Sequence, residues 1–283
     1  MTENSGAPCD DRPVIDHWQH PTGSSSPDTT SDSTRPTARV FWTIIVTFVL
    51  ATMLCTVAML AAQSLSGIDP AALTLTQFGP ALGALATWLS WRKVIAPLLP
   101  APAPLPKVRA NLGSLVAVCV LLGLLVAAAM TLTGHDLVGP AAVGGVPFAV
   151  FVAVQLLGAT GEEIGWRGFM QPLLESRVRR YTAIIVTGAV WALWHVPSYS
   201  HGLVTGVSFF VAAVAFAVIL GTLTIGSYWQ RVAVAAVGHW LINVGLYLSV
   251  GDATLGRPQV VFMALAAVFV AGGVVAVREW RRR

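Results

Sequence analysis

The sequence predicts an all-α membrane protein, a polytopic helical bundle of about eight transmembrane helices. Of its 283 residues, 55% are hydrophobic and only 11% are charged, whereas an ordinary soluble domain has roughly 25% charged residues. The apolar residues are grouped in runs of about 20, the length that crosses a bilayer as a helix. These observations exclude an ordinary soluble domain. We expect no nucleic-acid partner, since that would need a basic patch on a polar domain.

The N-terminal segment differs from the rest of the chain. Residues 1–39 are rich in Ser, Thr, Pro and Asp and contain no long apolar run. Such a segment buries too little apolar surface to offset the entropy lost on ordering. We therefore predict a disordered cytoplasmic tail over 1–39 and one multi-span membrane domain over 40–283, whose polar motifs lie within about residues 146–250.

The membrane domain contains eight apolar runs, each a predicted transmembrane helix. A Pro-rich stretch at 97–106 separates two of them and is predicted to be a stiff spacer. The run that carries charges and several glycines is the least regular, and Gly165, Gly168 and Pro172 are positions where its helix could bend. The runs cover residues 40–62, 73–91, 112–133, 146–170, 182–199, 203–225, 232–250 and 257–277.

Basic residues fall in alternate connections between these runs. The other connections contain Asp69, Asp136, Asp252 and a single Arg257. Because basic loops stay in the cytoplasm, this asymmetry predicts that both termini are cytoplasmic. With the composition rich in Ala, Val and Arg, we predict a bacterial plasma membrane as the location. The basic residues on one side are Arg35, Arg39, Arg92, Lys93, Lys107, Arg109, Arg177, Arg179, Arg180, Arg231, Arg278, Arg281, Arg282 and Arg283.

A few ionisable and polar residues lie inside the apolar runs, where charge is costly and usually marks a functional site. At 1.5 Å per residue, His195 lies about 22 Å from Arg180, and Asn243 about 18 Å from Arg231. Glu162 lies about 22 Å from Arg177 if its helix is continuous. Similar depths predict that these side chains converge. The full set is Glu162, Glu163, Arg167, His195, His239 and Asn243.

The spacing within each motif supports this convergence. Glu163 and Arg167 are separated by four residues, so they can form an ion pair on one helix face. Glu162 then points about 100° away from that pair and is free for chemistry. His239 and Asn243 are also four residues apart and share a helix face.

This set of residues suits hydrolysis. Glu162 can act as a general base that deprotonates water, and His195 can share that water or protonate the leaving amine. His239 and Asn243 can donate hydrogen bonds to the oxyanion of a tetrahedral intermediate. The alternative is a zinc site of Glu162, His195 and His239. Because Asn243 is a poor zinc ligand and a good oxyanion donor, we expect no cofactor, with zinc as the open alternative.

Three motifs together resemble the CPBP family (CAAX protease and bacteriocin-processing), which includes the Ras-converting CAAX endopeptidase. GEEIGWRG at 161–168 resembles EExxxR, and HWLIN at 239–243 resembles HxxxN. WALWH at 191–195 resembles FxxxH, with Trp191, another aromatic residue, in place of Phe. The resemblance covers about residues 75–250 and includes QFGPALGAL at 77–85.

The resemblance implies an intramembrane glutamic endopeptidase with eight helices and a cavity open to the cytosol. It implies that Glu162 activates water, that His195 assists, and that His239 and Asn243 form the oxyanion hole. Glu163 and Arg167 would support the site. The implied substrate is a membrane-associated protein or peptide, and the motifs do not distinguish a CAAX protein from a bacterial peptide.

Other functions are compatible with the same residues. The chain could be a non-catalytic membrane scaffold or a bacteriocin self-immunity factor, in which the motifs hold helices together by interhelical hydrogen bonds. A proton-coupled transporter with Glu162 as its proton site is less favoured, because the sequence shows no internal repeat. The sequence does not predict an oligomeric state.

Overall fold

In the computed structural model of the chain, the residues that can be described are 36–283. The predicted disordered tail lies outside them except at its end, where residues 38 and 39 already belong to the first helix. Disorder of the preceding segment therefore stays a prediction, as does the division into tail and membrane domain.

The described residues form helices joined by short connections, with no β-strand among them. This confirms the predicted all-α class. A π-helical segment, Ile164–Met170, joins α4 to α5, so the two continue as one rod over Phe148–Glu175. The helices are α1 (Ala38–Ser66), α2 (Gly79–Ile95), α3 (Leu105–Leu132), α4 (Phe148–Glu163), α5 (Gln171–Glu175), α6 (Arg180–Trp194), α7 (Leu203–Leu223), α8 (Tyr228–Val250) and α9 (Gln259–Trp280).

Six helical rods in residues 36–283 are long and apolar enough to cross a membrane: α1, α3, the joined α4 and α5, α7, α8 and α9. The other two predicted spans correspond to α2, with 17 residues, and α6, with 15. These are about 25 and 22 Å long, shorter than the roughly 30 Å hydrocarbon core. A multi-pass membrane protein is thus supported, while the count of eight crossings stays a prediction.

Large apolar side chains cover much of the outside of the bundle. Leu54 is 72% exposed, Leu65 87% and Phe269 72%. On a water-soluble protein such a surface would cause aggregation, whereas acyl chains accommodate it without cost. The outer surface of the helices therefore agrees with a lipid environment.

The least regular predicted helix is not broken but locally widened. Gly165 lies in the π-helical segment and packs directly on α2, where an added Cβ atom would come within 2.6 Å of the Pro80 carbonyl oxygen. The Tyr228 hydroxyl donates a hydrogen bond of 3.3 Å to the carbonyl of Ile164 in the same segment. Single π-turns inside helices occur often at functional sites. The distortion begins directly after Glu163.

A partly buried polar network connects the ends of α5, α6, α7 and α8. Glu175 accepts hydrogen bonds from Arg231 Nη2 at 2.6 Å and from Gln171 Nε2 at 2.8 Å. Arg180 Nη2 donates to the carbonyl oxygens of Gly221 at 2.8 Å and Thr224 at 2.6 Å. This network closes the end of the bundle at which the basic residues lie.

Candidate active site

A cavity of about 280 Å³ lies among α4, α6, α7, α8 and the connection before α2. Glu162, His195, His239 and Asn243 all line it, so the structure brings these predicted residues together. The other polar side chains of the wall are Gln77, Gln155, Thr74, Thr76, Tyr247 and Thr254. The apolar part of the wall consists of Trp191, Trp194, Phe209, Ala212, Ala213, Phe216, Ile242, Leu246, Leu255 and Met263.

Both oxygens of the Glu162 carboxylate accept hydrogen bonds, one from the connection before α2 and one from α6. Oε1 accepts a hydrogen bond of 3.1 Å from Gln77 Nε2, and Oε2 accepts one of 2.7 Å from Trp191 Nε1. The residue is only 2% exposed. Since an ionised carboxylate has about four acceptor positions, two remain for a water molecule in the cavity.

Glu163 faces away from the cavity into a buried ion pair. Its Oε1 accepts hydrogen bonds from Arg167 Nη1 at 2.8 Å and from His239 Nδ1 at 2.9 Å. The side chains of Glu163 and Arg167 are both fully buried. The Arg167 guanidinium also lies 4.5 Å from the centre of the Trp191 ring. The two adjacent glutamates thus differ in surroundings, as their helical spacing predicts.

His195 directly follows the last residue of α6, and its ring is held by a backbone carbonyl of the last turn of that helix. Its Nδ1 lies 2.9 Å from the carbonyl oxygen of Trp191. The ring packs edge-on against Trp194, with centroids 4.7 Å apart, and lies tilted against Phe209, with centroids 5.1 Å apart. Because a carbonyl oxygen only accepts, the proton of the neutral ring is on Nδ1, and Nε2 carries the lone pair.

Asn243 lies one helical turn beyond His239 on α8. Its Nδ2 donates a hydrogen bond of 3.3 Å to Oε1 of Gln155 on α4. The amide therefore has one further N–H for a group in the cavity. Gln155 thus links Asn243 on α8 to α4, the helix that carries Glu162.

Sequence reasoning did not find Gln77 and Gln155, and it missed the role of the Trp191 indole. Gln77 begins the stretch QFGPALGAL, which the resemblance already included, so its position was a usable signal. Gln155 is an isolated amide in an apolar run. The prediction treated Trp191 as one aromatic residue in place of another. The structure adds that its N–H, which Phe lacks, holds Glu162.

The alternative zinc site of Glu162, His195 and His239 stays a prediction. Within residues 36–283, no group of His, Cys, Asp or Glu side chains is arranged to hold a metal ion. Of the three predicted ligands, His239 uses Nδ1 for Glu163, and His195 uses Nδ1 for the Trp191 carbonyl. Glu162 is held by Gln77 and Trp191. In each histidine Nε2 is left as the other ring nitrogen, the usual arrangement of a metal-binding histidine, so these contacts are compatible with zinc as well as with metal-free hydrolysis.

Comparison with known proteins bears directly on this site. Residues 144–245 match the family model described as type II CAAX prenyl endopeptidase Rce1-like. A protein named CAAX prenyl protease 2, from Methanococcus maripaludis, is 29% identical over 136 residues, which cover 44% of this chain and 50% of that protein. The match thus spans about half the length of that curated relative. All three motifs lie within 144–245, and the predicted resemblance to CAAX proteases is confirmed over this region.

Proposed function

We propose that the chain is an intramembrane endopeptidase that hydrolyses a peptide bond of a membrane-associated protein or peptide, with Glu162 as the base that activates water. The observation that carries the proposal is the position of Glu162, whose carboxylate is held by two donors in a cavity that also contains two histidines and an asparagine. The match of residues 144–245 to an endopeptidase family supports a peptidase.

The reaction begins with a water molecule on the Glu162 carboxylate. Glu162 removes a proton from this water as the water oxygen attacks the carbonyl carbon of the scissile bond. The carbonyl double bond opens, and its electron pair forms the oxyanion of a tetrahedral intermediate. When the intermediate collapses, the C–N bond breaks and the proton passes to the leaving amine. His195 lines the same cavity, and in this mechanism its Nε2 relays that proton.

Asn243 and His239 stabilise the oxyanion in this mechanism. Asn243 offers the second N–H of its amide. The Nδ1 of His239 donates to Glu163, so Nε2 donates only when the ring carries both protons. Glu163 stabilises that protonated ring, and Arg167 balances the remaining negative charge. This assigns the buried pair a supporting role.

The mechanism predicts that hydrolysis survives metal removal. The purified protein in lipid nanodiscs is incubated with a peptide library derived from membrane proteins, with and without 1,10-phenanthroline, and cleaved bonds are identified by mass spectrometry. Glu162→Gln protein defines the background cleavage. We expect the same internal bonds to be cleaved in both conditions. Cleavage that stops with the chelator and returns with added zinc would contradict the proposed mechanism.

The hydrogen bond from Trp191 to Glu162 also has a testable effect. Trp191→Phe keeps an aromatic ring beside Arg167 and His239 but removes the N–H, so one carboxylate oxygen loses its donor. A hydrogen bond to a charged group contributes about 1.5–3 kcal/mol, and we expect kcat to fall at least about tenfold.

The matched control is Trp194→Phe. Trp194 Nε1 donates to Thr56 Oγ1 at 2.8 Å, not to Glu162. Its loss should therefore affect kcat less than Trp191→Phe does. Equal kcat values for the two variants would show that the indole N–H of Trp191 does not position the base.

A further inference from the structure

The cavity reaches only one end of the bundle. At that end its rim is formed by Thr74 and Thr76, from the connection between α1 and α2, and by Thr254 and Leu255, from the connection between α8 and α9. These rim residues are partly exposed. None of the residues lining the cavity comes from the connections at the other end, 96–104, 176–179 and 224–227.

The charges of the described chain are divided between the same two ends. The cavity end contains Asp69, Asp136, Asp252 and one basic residue, Arg257. The opposite end is strongly basic and is closed by the partly buried network around Glu175. Its basic residues are Arg39, Arg92, Lys93, Lys107, Arg109, Arg177, Arg179, Arg180, Arg231, Arg278, Arg281, Arg282 and Arg283.

This geometry separates two expectations drawn from the sequence. The charge asymmetry predicts that the basic end is cytoplasmic, whereas the family resemblance implies a cavity open to the cytosol. Both cannot hold, because the cavity opens at the end opposite the basic residues. We propose that the cavity opens on the non-cytoplasmic side of the membrane and takes polypeptide segments that lie next to the membrane on that side. The proposed substrate rests on the proposed peptidase function. The side of the membrane to which the cavity opens, here called the sidedness, does not depend on that function.

The cavity wall indicates the chemistry of such a segment. Phe209, Phe216, Ile242, Leu246 and Met263 form an apolar surface beside the polar residues. Among the described residues, neither Lys nor Arg lines the cavity. Apart from His239, which the proposed mechanism keeps protonated for the oxyanion, a substrate ending in a free carboxylate close to the scissile bond would find no cation to neutralise it. The site therefore fits an internal bond in an uncharged, largely apolar stretch.

Cysteine labelling tests the sidedness without requiring turnover. The background protein carries Glu162→Gln and has Cys9, Cys55 and Cys119 replaced by Ala. Two variants are made in this background. Ala253→Cys places a thiol at the cavity end, and the matched variant Ala101→Cys places one at the basic end. Both alanines are exposed in connections. Spheroplasts of an expressing bacterium are treated with a membrane-impermeant maleimide before or after membrane disruption.

We expect Ala253→Cys to be labelled in intact spheroplasts and Ala101→Cys only after disruption. Any other pattern, equal labelling included, overturns the proposed sidedness. Each variant must elute from size-exclusion chromatography like its parent. A variant that does not is replaced by Asp252→Cys or Pro102→Cys, which lie in the same two connections.

The substrate class is tested separately by mapping cleavage sites. Peptide termini present with wild-type protein and missing with Glu162→Gln should lie in non-cytoplasmic segments next to membrane spans. Termini in cytoplasmic segments would overturn the proposed substrate class. If no termini are specific to the wild-type protein, both the peptidase function and the proposed substrate class are wrong. The labelling result still shows to which side of the membrane the cavity opens.

Discussion

Glu162→Gln is expected to lower kcat by about 100- to 10,000-fold, the range in which a positioned general base contributes. Glutamine has nearly the same shape as glutamate but cannot remove a proton from water. One of the two hydrogen bonds from Gln77 and Trp191 is lost as well, because the amide nitrogen accepts none. The fold should be retained, since the substitution adds no volume and removes a buried charge.

The matched control is Glu175→Gln, which makes the same chemical change at the basic end of the bundle. Glu175 pairs with Arg231 at 2.6 Å and does not line the cavity. Rates are measured on one cleaved peptide and normalised to the folded fraction from size-exclusion chromatography. If Glu162→Gln retains wild-type kcat, or loses no more than Glu175→Gln does, Glu162 is not the base.

Arg167→Ala is expected to destabilise the protein by about 3–5 kcal/mol, as when one partner of a buried ion pair is removed. The change leaves the Glu163 carboxylate fully buried with His239 as its remaining donor. It also removes the guanidinium from the face of the Trp191 ring. The loss should be seen as a lower unfolding midpoint of purified protein in detergent.

An exposed pair in the same chain provides the control for this prediction. Arg282 lies 2.9 Å from Glu279, with the two side chains 51% and 43% exposed. Arg282→Ala should cost at most about 1 kcal/mol, the usual value of a surface pair. Equal unfolding midpoints for Arg167→Ala and Arg282→Ala would show that the buried pair does not hold the site together.

The sequence predicted the positions of the helices well because bilayer thickness sets the length of apolar runs. For α2 and α6 the predicted apolar runs include residues that are not part of the helix. The run at 182–199 continues past Trp194, where α6 ends, since Val196–His201 forms a 3-10 turn containing Pro197. The run at 73–91 likewise includes the 3-10 turn Leu75–Phe78. Apolar composition alone does not distinguish a transmembrane helix from a shorter one with apolar turns attached.

The site was predictable where its geometry is local. Four-residue spacing placed Glu163 beside Arg167, because helix geometry alone sets that distance. The contacts of Gln77 with Glu162 and of Gln155 with Asn243 join residues 85 and 88 positions apart. They depend on how whole helices pack, which no local pattern encodes. The side of the membrane to which the cavity opens required the same tertiary information.

The most direct test of the central claim compares membranes that contain wild-type protein with membranes that contain Glu162→Gln, by mass spectrometry of new peptide termini. We predict termini that appear only with wild-type protein, that persist with a strong chelator, and that lie in membrane-associated proteins. Identical termini in both membranes, together with full wild-type biological activity of Glu162→Gln, would contradict the account and favour a non-catalytic scaffold.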